Sequence, residues 1–257
     1  MSVALVTGAG RRLGRAMSLA LAEDGWDVAV HYVTSGQEAG DTVEAIRAMG
    51  RRAESFRADL LNEDSLAELV PRVDAAFGTP VLLVNNASIF EHDTLFSATL
   101  ETWDRHMMSN LRAPFVLTQA VAALAPDTEP DAAGEPVAQA QVINMVDQRV
   151  VKPTPEFMTY SLSKAALWTF TRTAAQALAP KLRVNAIGPG PTLRGARQSE
   201  AHFAAQRRST ILERGADAEG VVRAMRYLLT SPSVTGQLIC VDGGQHLGWR
   251  TPDVIQS

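Results

Sequence analysis

Seven short apolar runs, each separated from the next by a helix-length stretch, constrain this chain more than any other feature. They are VALVT (3–7), DVAVHY (27–32), RAESFR (52–57), VLLVNNA (81–87), QVINMV (141–146), LRVNAI (182–187) and QLICVD (237–242). Between them, apolar residues recur with helical spacing over Leu13–Glu23, Ser65–Phe77, Trp103–Leu124 and Tyr160–Leu178. Apolar strands alternating with helices form parallel sheets covered on both faces, because each crossover returns on the right-handed side. The predicted fold class is α/β: a single domain over 1–257, a doubly wound parallel sheet of about seven strands with helices on both faces.

Two segments depart from the alternation. Residues 125–141, rich in proline, alanine and acids, are predicted to form a solvated surface insertion. Residues 193–215 are polar and helix-prone and follow the turn GPGPT, just past a strand's carboxyl end. That is where a lid over a substrate would lie.

Composition removes several function classes. A formal charge of −4 does not suit nucleic acid or an anionic membrane as the main partner. No apolar run is long enough to span a bilayer, and no secretory leader is recognisable. The single cysteine, Cys240, lies within an apolar run and reads as core. These features predict a cytoplasmic protein acting on a small molecule. His31, His92, His106, His202 and His246 lack ligand spacing, so no metal is expected.

The first strand runs into TGAGRRLG (7–14). Gly8 and Gly10 permit a tight turn and Gly14 allows close helix packing. The helix that follows would present its N-terminal amides to a dinucleotide pyrophosphate. A carboxylate is expected at the end of the second strand when NAD is the ligand, yet His31, Tyr32 and Ser35 stand there without one. Ser35 and Arg11 could bind a 2′-phosphate instead, so NADP(H) is preferred. Farther along, Tyr160 and Lys164 lie four residues apart and share a helix face. An ammonium beside a phenol would lower its pKa and make Tyr160 an acid/base group.

The motifs TGAGRRLG, ADL (58–60), NNAS (85–88), Asn110, YSLSK (160–164), RVNAIGPG (183–190) and VDGG (241–244) resemble, in order and spacing, the short-chain dehydrogenase/reductase family with its Rossmann fold. The resemblance implies that Tyr160 donates or accepts the proton and that Lys164 binds the nicotinamide ribose. Asn110 would order a water, and Asp59 would lie near the adenine. The cofactor set it suggests is Gly8, Arg11, Arg12, Leu13, Gly14, His31, Tyr32, Ser35, Asp59, Leu60, Asn86, Ala87, Ser88, Lys164, Pro189 and Thr192. It also implies a homo-oligomer, a tetramer, with the tail DGGQHLGWR (242–250) reaching a neighbouring active site through His246 or Trp249.

Two positions depart from the general family pattern. Asp147 stands thirteen residues before Tyr160, where the family has a serine, and Arg12 replaces a loop glycine. With NNASIF (85–90), they resemble the pteridine reductase branch, including dihydromonapterin reductases. That implies a pterin site lined by Arg12, Ser88, Phe90, Asp147 and Tyr160, with Phe90 stacking on the ring and Asp147 sharing in protonation of a ring nitrogen. Two other readings stay open: a carbonyl or alcohol oxidoreductase that tolerates Asp147, and a non-catalytic NADP-binding sensor.

Overall fold

The computed structural model describes residues 2–194 and 198–249. Seven parallel strands form one sheet: β1 (Val3–Val6), β2 (Asp27–Tyr32), β3 (Ala53–Arg57), β4 (Pro80–Asn85), β7 (Ala140–Met145), β8 (Leu182–Pro189) and β9 (Leu238–Val241). The spatial order is β3-β2-β1-β4-β7-β8-β9. The chain leaves β1 toward one edge and returns to β4 on the other side of it, so the order reverses between β1 and β4. A crevice opens there at the strands' carboxyl ends.

Side-chain alternation splits the sheet's apolar residues between two cores. Ala4, Val6, Val28, Val30, Leu82 and Val84 pack under α1 (Arg12–Glu23), α2 (Gly36–Ala48) and α8 (Ala218–Thr230). Val3, Leu5, Leu83, Val142 and Val184 face α3 (Glu63–Phe77), α5 (Ala113–Leu124) and α6 (Met158–Leu178). Both faces are thus dry, which is why the strands read as continuous apolar runs.

The predicted helix at Trp103–Leu124 begins earlier and is not uniform. It consists of α4 (Leu100–Met107), a π-helical turn (Met108–Arg112) and α5. Pro114 has no N–H to give to the ordinary ladder just where the π turn ends. The insertion at 125–141 is shorter than expected. An exposed hairpin, β5 (Glu129–Pro130) with β6 (Pro136–Val137), occupies most of it. Ala140 and Gln141, though, are buried in β7. Helix α7 (Glu200–Arg208) lies within the expected lid, whose residues 195–197 fall outside the described ones. Among the described residues, no helix is long and apolar enough to cross a membrane.

Candidate active site

The phosphate-type loop is held by sequence-local necessity. Gly8 has φ +62°, and a Cβ there would lie 3.1 Å from Ala87 Cα. A Cβ on Gly14 would lie 2.6 Å from Asn86 Nδ2 and collide with the Gly8 carbonyl. The second strand-end motif braces the first. Asn86 Nδ2 donates to the Thr7 and Gly8 carbonyls (2.8 and 3.2 Å), while Thr7 Oγ1 accepts from the Asn86 and Ala87 amides, both at 2.9 Å. No acidic residue stands in the first turn of α1, so its positive end faces the crevice unopposed. These features fit a dinucleotide.

His31, expected to touch the cofactor, is instead fully buried beneath the loop. Gly8 N donates to its Nδ1 at 3.1 Å, and its Nε2 lies 2.9 Å from the Ala58 carbonyl. An amide can only donate and a carbonyl only accept, so the ring is neutral with its hydrogen on Nε2. Burial pushes its pKa down to about 4. Leu60 likewise sends its side chain into the core beneath the sheet. Asp59 stays exposed and caps its own turn through Leu61 N.

Ser35 occupies the N-cap of α2 with no cap bond from its side chain, and its Oγ faces Gly10. Tyr32 packs its ring against Gly36. Arg11 pairs with Glu38, both partly exposed. Arg12 holds φ +53°, a conformation disfavoured for any residue with a Cβ, and its guanidinium reaches the opposite wall. It donates to the Leu193 and Arg194 carbonyls at 2.9 and 2.8 Å. Arg12 thus ties the phosphate loop to the start of the lid segment.

The candidate catalytic side chains gather at the carboxyl ends of β4 and β7. Tyr160 donates to Asp147 Oδ2 at 3.0 Å. Arg149, which the sequence reading missed, gives its amide to Asp147 Oδ1 (2.8 Å) and its guanidinium to Oδ2 (3.3 Å). Tyr160 is raised well above 10, first by burial and then by the charge of Asp147, opposite to the lowering expected from Lys164. Lys164 turns away: its Nζ donates to the Met145 carbonyl at 2.8 Å and lies 5.8 Å from the Tyr160 ring centre. Burial lowers its pKa to about 8.

Asn110 sits in the π turn. Nδ2 donates to the Ile89 carbonyl (2.9 Å) and Ser163 Oγ (3.1 Å). Oδ1 accepts from Ile89 N (2.9 Å) and Ser88 Oγ (3.1 Å). The Ser88 hydroxyl has one hydrogen for two acceptors, Asn110 Oδ1 and the Ile89 carbonyl. Asn110 fastens the 88–89 segment to α6.

Phe90 is half exposed and stacks on Phe157, with ring centres 4.3 Å apart and an 8° interplanar angle, while its edge meets Tyr160 at 4.7 Å. The Arg149 guanidinium lies over both phenyl rings, at 5.7 and 5.1 Å. These aromatics open onto a cavity of about 1110 Å³. Leu13, Pro189 and Thr192 line its inner side, and His202, Phe203 and Gln206 of α7 line the far wall. His246 bonds to Asp242 of the same chain (2.7 Å). Trp249 is exposed, and Arg250 lies outside the described residues. Among the described residues, no cluster of metal-ligating side chains occurs.

Crevice, glycine loop, and the Tyr160–Lys164 helix face together define a dinucleotide-dependent oxidoreductase of the doubly wound class. A family model described as enoyl-(acyl carrier protein) reductase matches residues 8–246. The chain belongs to the short-chain dehydrogenase/reductase family. An uncharacterized oxidoreductase of Mycobacterium tuberculosis is 35% identical over 249 residues, covering 94% of this chain and 91% of that protein. A 3-oxoacyl-[acyl-carrier-protein] reductase of Synechocystis is 34% identical over 247 residues, covering 94% and 96%. Among solved structures, FolM alternative dihydrofolate reductase 1 from Brucella suis, in complex with NADP, is 40% identical. It superimposes with a TM-score of 0.91 over 99% of this chain and 98% of that one.

Proposed function

We propose that this protein is an NADPH-dependent reductase of a pterin-class substrate, in which Tyr160 and Asp147 deliver the proton. The observation that carries this reading is the 3.0 Å bond from the Tyr160 hydroxyl to a carboxylate where the family has a serine. A carbonyl reductase needs a donor there to stabilise an oxyanion as hydride adds. Asp147 accepts three hydrogen bonds and would repel such an oxygen. A ring C=N bond makes a different demand: its nitrogen must gain a proton as the carbon gains hydride. The Tyr160–Asp147 pair stores that proton between two oxygens.

Bound NADPH supplies the hydride. The glycine loop braced by Asn86 and the α1 N-terminus would hold its pyrophosphate, and Lys164 would hold its nicotinamide ribose. Ser35 and Arg11, the latter on leaving Glu38, would hold the 2′-phosphate. The complex of the Brucella relative with NADP supports that choice. The Phe90–Phe157 stack leaves one aromatic face to meet a bicyclic ring, and the relative's name, an alternative dihydrofolate reductase, supports a pterin. Helix α7 serves as the lid. The lone thiol suits the cytoplasm. Exposed Leu100, Trp103 and Phe115 along α4 and α5 suit assembly into a homotetramer.

The likeness to the Synechocystis reductase favours a second reading, reduction of a carbonyl. Asp147→Ser separates the two. Pterin turnover should fall by about 10²–10⁴-fold, the usual effect of losing a proton-transfer group, with NADPH affinity unchanged. A carbonyl reductase would keep or gain activity instead. Steady-state NADPH oxidation against dihydrobiopterin, dihydrofolate and a carbonyl panel reads the outcome. Undiminished pterin turnover in the variant, or none in the wild type, overturns the proposal.

A further inference from the structure

Behind Phe90 and Tyr160 runs a buried polar chain that the reaction itself does not use. His106, on α4, is fully buried with its ring edge-on to Tyr160 at 6.1 Å. Glu91 N donates to His106 Nε2 at 3.2 Å. Nε2 is therefore the acceptor, and the ring hydrogen sits on Nδ1, 2.7 Å from Thr159 Oγ1. The Thr159 hydroxyl, its lone pair taken, passes its own hydrogen to Asp93 Oδ2. Asp93 is buried, and its Oδ1 accepts from Thr159 N at 3.1 Å while its carbonyl accepts from Phe157 N at 2.8 Å. The chain runs from Glu91 N through His106 and Thr159 to Asp93, with the Thr102 carbonyl of the same helix as a further acceptor for the His106 ring.

The sequence positions it joins are the informative part. Glu91 follows Phe90, Thr159 precedes Tyr160, and Phe157 bonds back to Asp93. We propose that His106, acting through Thr159 and Asp93, is the positioning residue that sets the Phe90–Phe157 wall against the Tyr160 hydroxyl. It does so by tying the residue after the first ring to the residue before the phenol. This rests on the reading of that wall as the substrate's seat. None of the three residues touches substrate. Their task is to keep two independent chain segments in one relative orientation, for which a displacement of about 1 Å can cost on the order of 100-fold in rate.

The neutral ring is essential, since a proton on Nε2 would leave Glu91 N without an acceptor. Asp93 and Glu91 face the ring with negative charge and Arg105 with positive charge, while Thr159 and Tyr160 of α6 contribute neutral groups. Burial outweighs the acids and lowers the pKa of His106, which keeps it neutral at working pH.

The test uses the whole enzyme and three variants, Thr159→Val, Thr159→Ser and His106→Phe, with two readouts. Amide hydrogen exchange over residues 89–93 reports the Glu91 bond without any substrate. Steady-state kinetics with dihydrobiopterin reports the wall. The expected result for Thr159→Val and His106→Phe is exchange faster by at least about tenfold, with kcat/KM for the pterin lower by about 10- to 100-fold. NADPH affinity should stay at the wild-type value, and Thr159→Ser should restore both readouts. Unchanged exchange in His106→Phe overturns the positioning chain, whatever the substrate is. So does faster exchange with undisturbed pterin kinetics. A wild type that ignores every pterin while His106→Phe exchanges faster overturns the pterin reading alone and leaves the chain standing.

Discussion

The neutral His31 under the phosphate loop makes the stability of this protein depend on pH in a calculable way. Its pKa is about 4 in the fold and 6.5 in an open chain, so the unfolded state takes up a proton first as pH falls. Stability therefore declines as pH drops through 6.5 and stops declining below 4. The full difference corresponds to about 3 kcal/mol, of which about 2 kcal/mol is lost between pH 7.5 and pH 5. His31→Gln removes the titration. Glutamine can still donate to the Ala58 carbonyl but leaves Gly8 N without its acceptor, a cost of about 1–3 kcal/mol at neutral pH. Urea unfolding of both proteins at pH 5 and 7.5 is the assay, because every other titrating group cancels in the comparison. The wild type should lose about 2 kcal/mol more than the variant on acidification. Parallel slopes would refute the assignment of a neutral, buried ring.

Lys164 predicts the opposite trade between stability and function. Its pKa falls from 10.5 to about 8 on burial, so the charged form costs up to about 3 kcal/mol at pH 7. Lys164→Met should unfold at higher denaturant at pH 7 while losing turnover, and its stability advantage should fade as pH rises from 8 to 10.5. Equal unfolding midpoints at pH 7 would contradict this. Light scattering at micromolar concentration should return the mass of a homotetramer, and a monomer's mass would leave the exposed residues of α4 and α5 unexplained.

The fold was readable because a sheet buried on both faces writes itself as uninterrupted apolar runs, and all seven strands stand where those runs are. The π turn was not, because Trp103, Leu117 and Val121 fall on one face of an unbroken 3.6-residue helix and so give no sign of a break. The tight turn at Gly8 and the close packing at Gly14 were legible from the loop pattern, whereas Asn86 entered only through the family resemblance and its side-chain brace on the loop carried no signal. Site residues whose role depends on what lies above or below were not legible either. His31 and Tyr32 are neighbours on one strand, yet alternation sends the first inward beneath the loop. Four-residue spacing put Lys164 beside Tyr160 but could not reveal the Met145 carbonyl that takes its ammonium. Arg149 and Phe157 carried no motif of their own. Their position beside Asp147 and shortly before Tyr160 was the available signal.

The π turn at Met108–Arg112 also divides the labour of one long helix. An extra residue rotates everything after it by about 100° relative to an unbroken α-helix. Upstream, Leu100 and Trp103 look outward; downstream, Leu117 and Val121 look into the sheet. Without that phase shift, the stripe that seals the interior would continue along the face that carries Trp103. With it, Leu100 and Trp103 stay exposed at one end of the rod while Leu117 and Val121 seal the core at the other. The same turn presents Asn110 to the 88–89 segment, so one change of helical phase both seals the core and braces the strand end beside Tyr160.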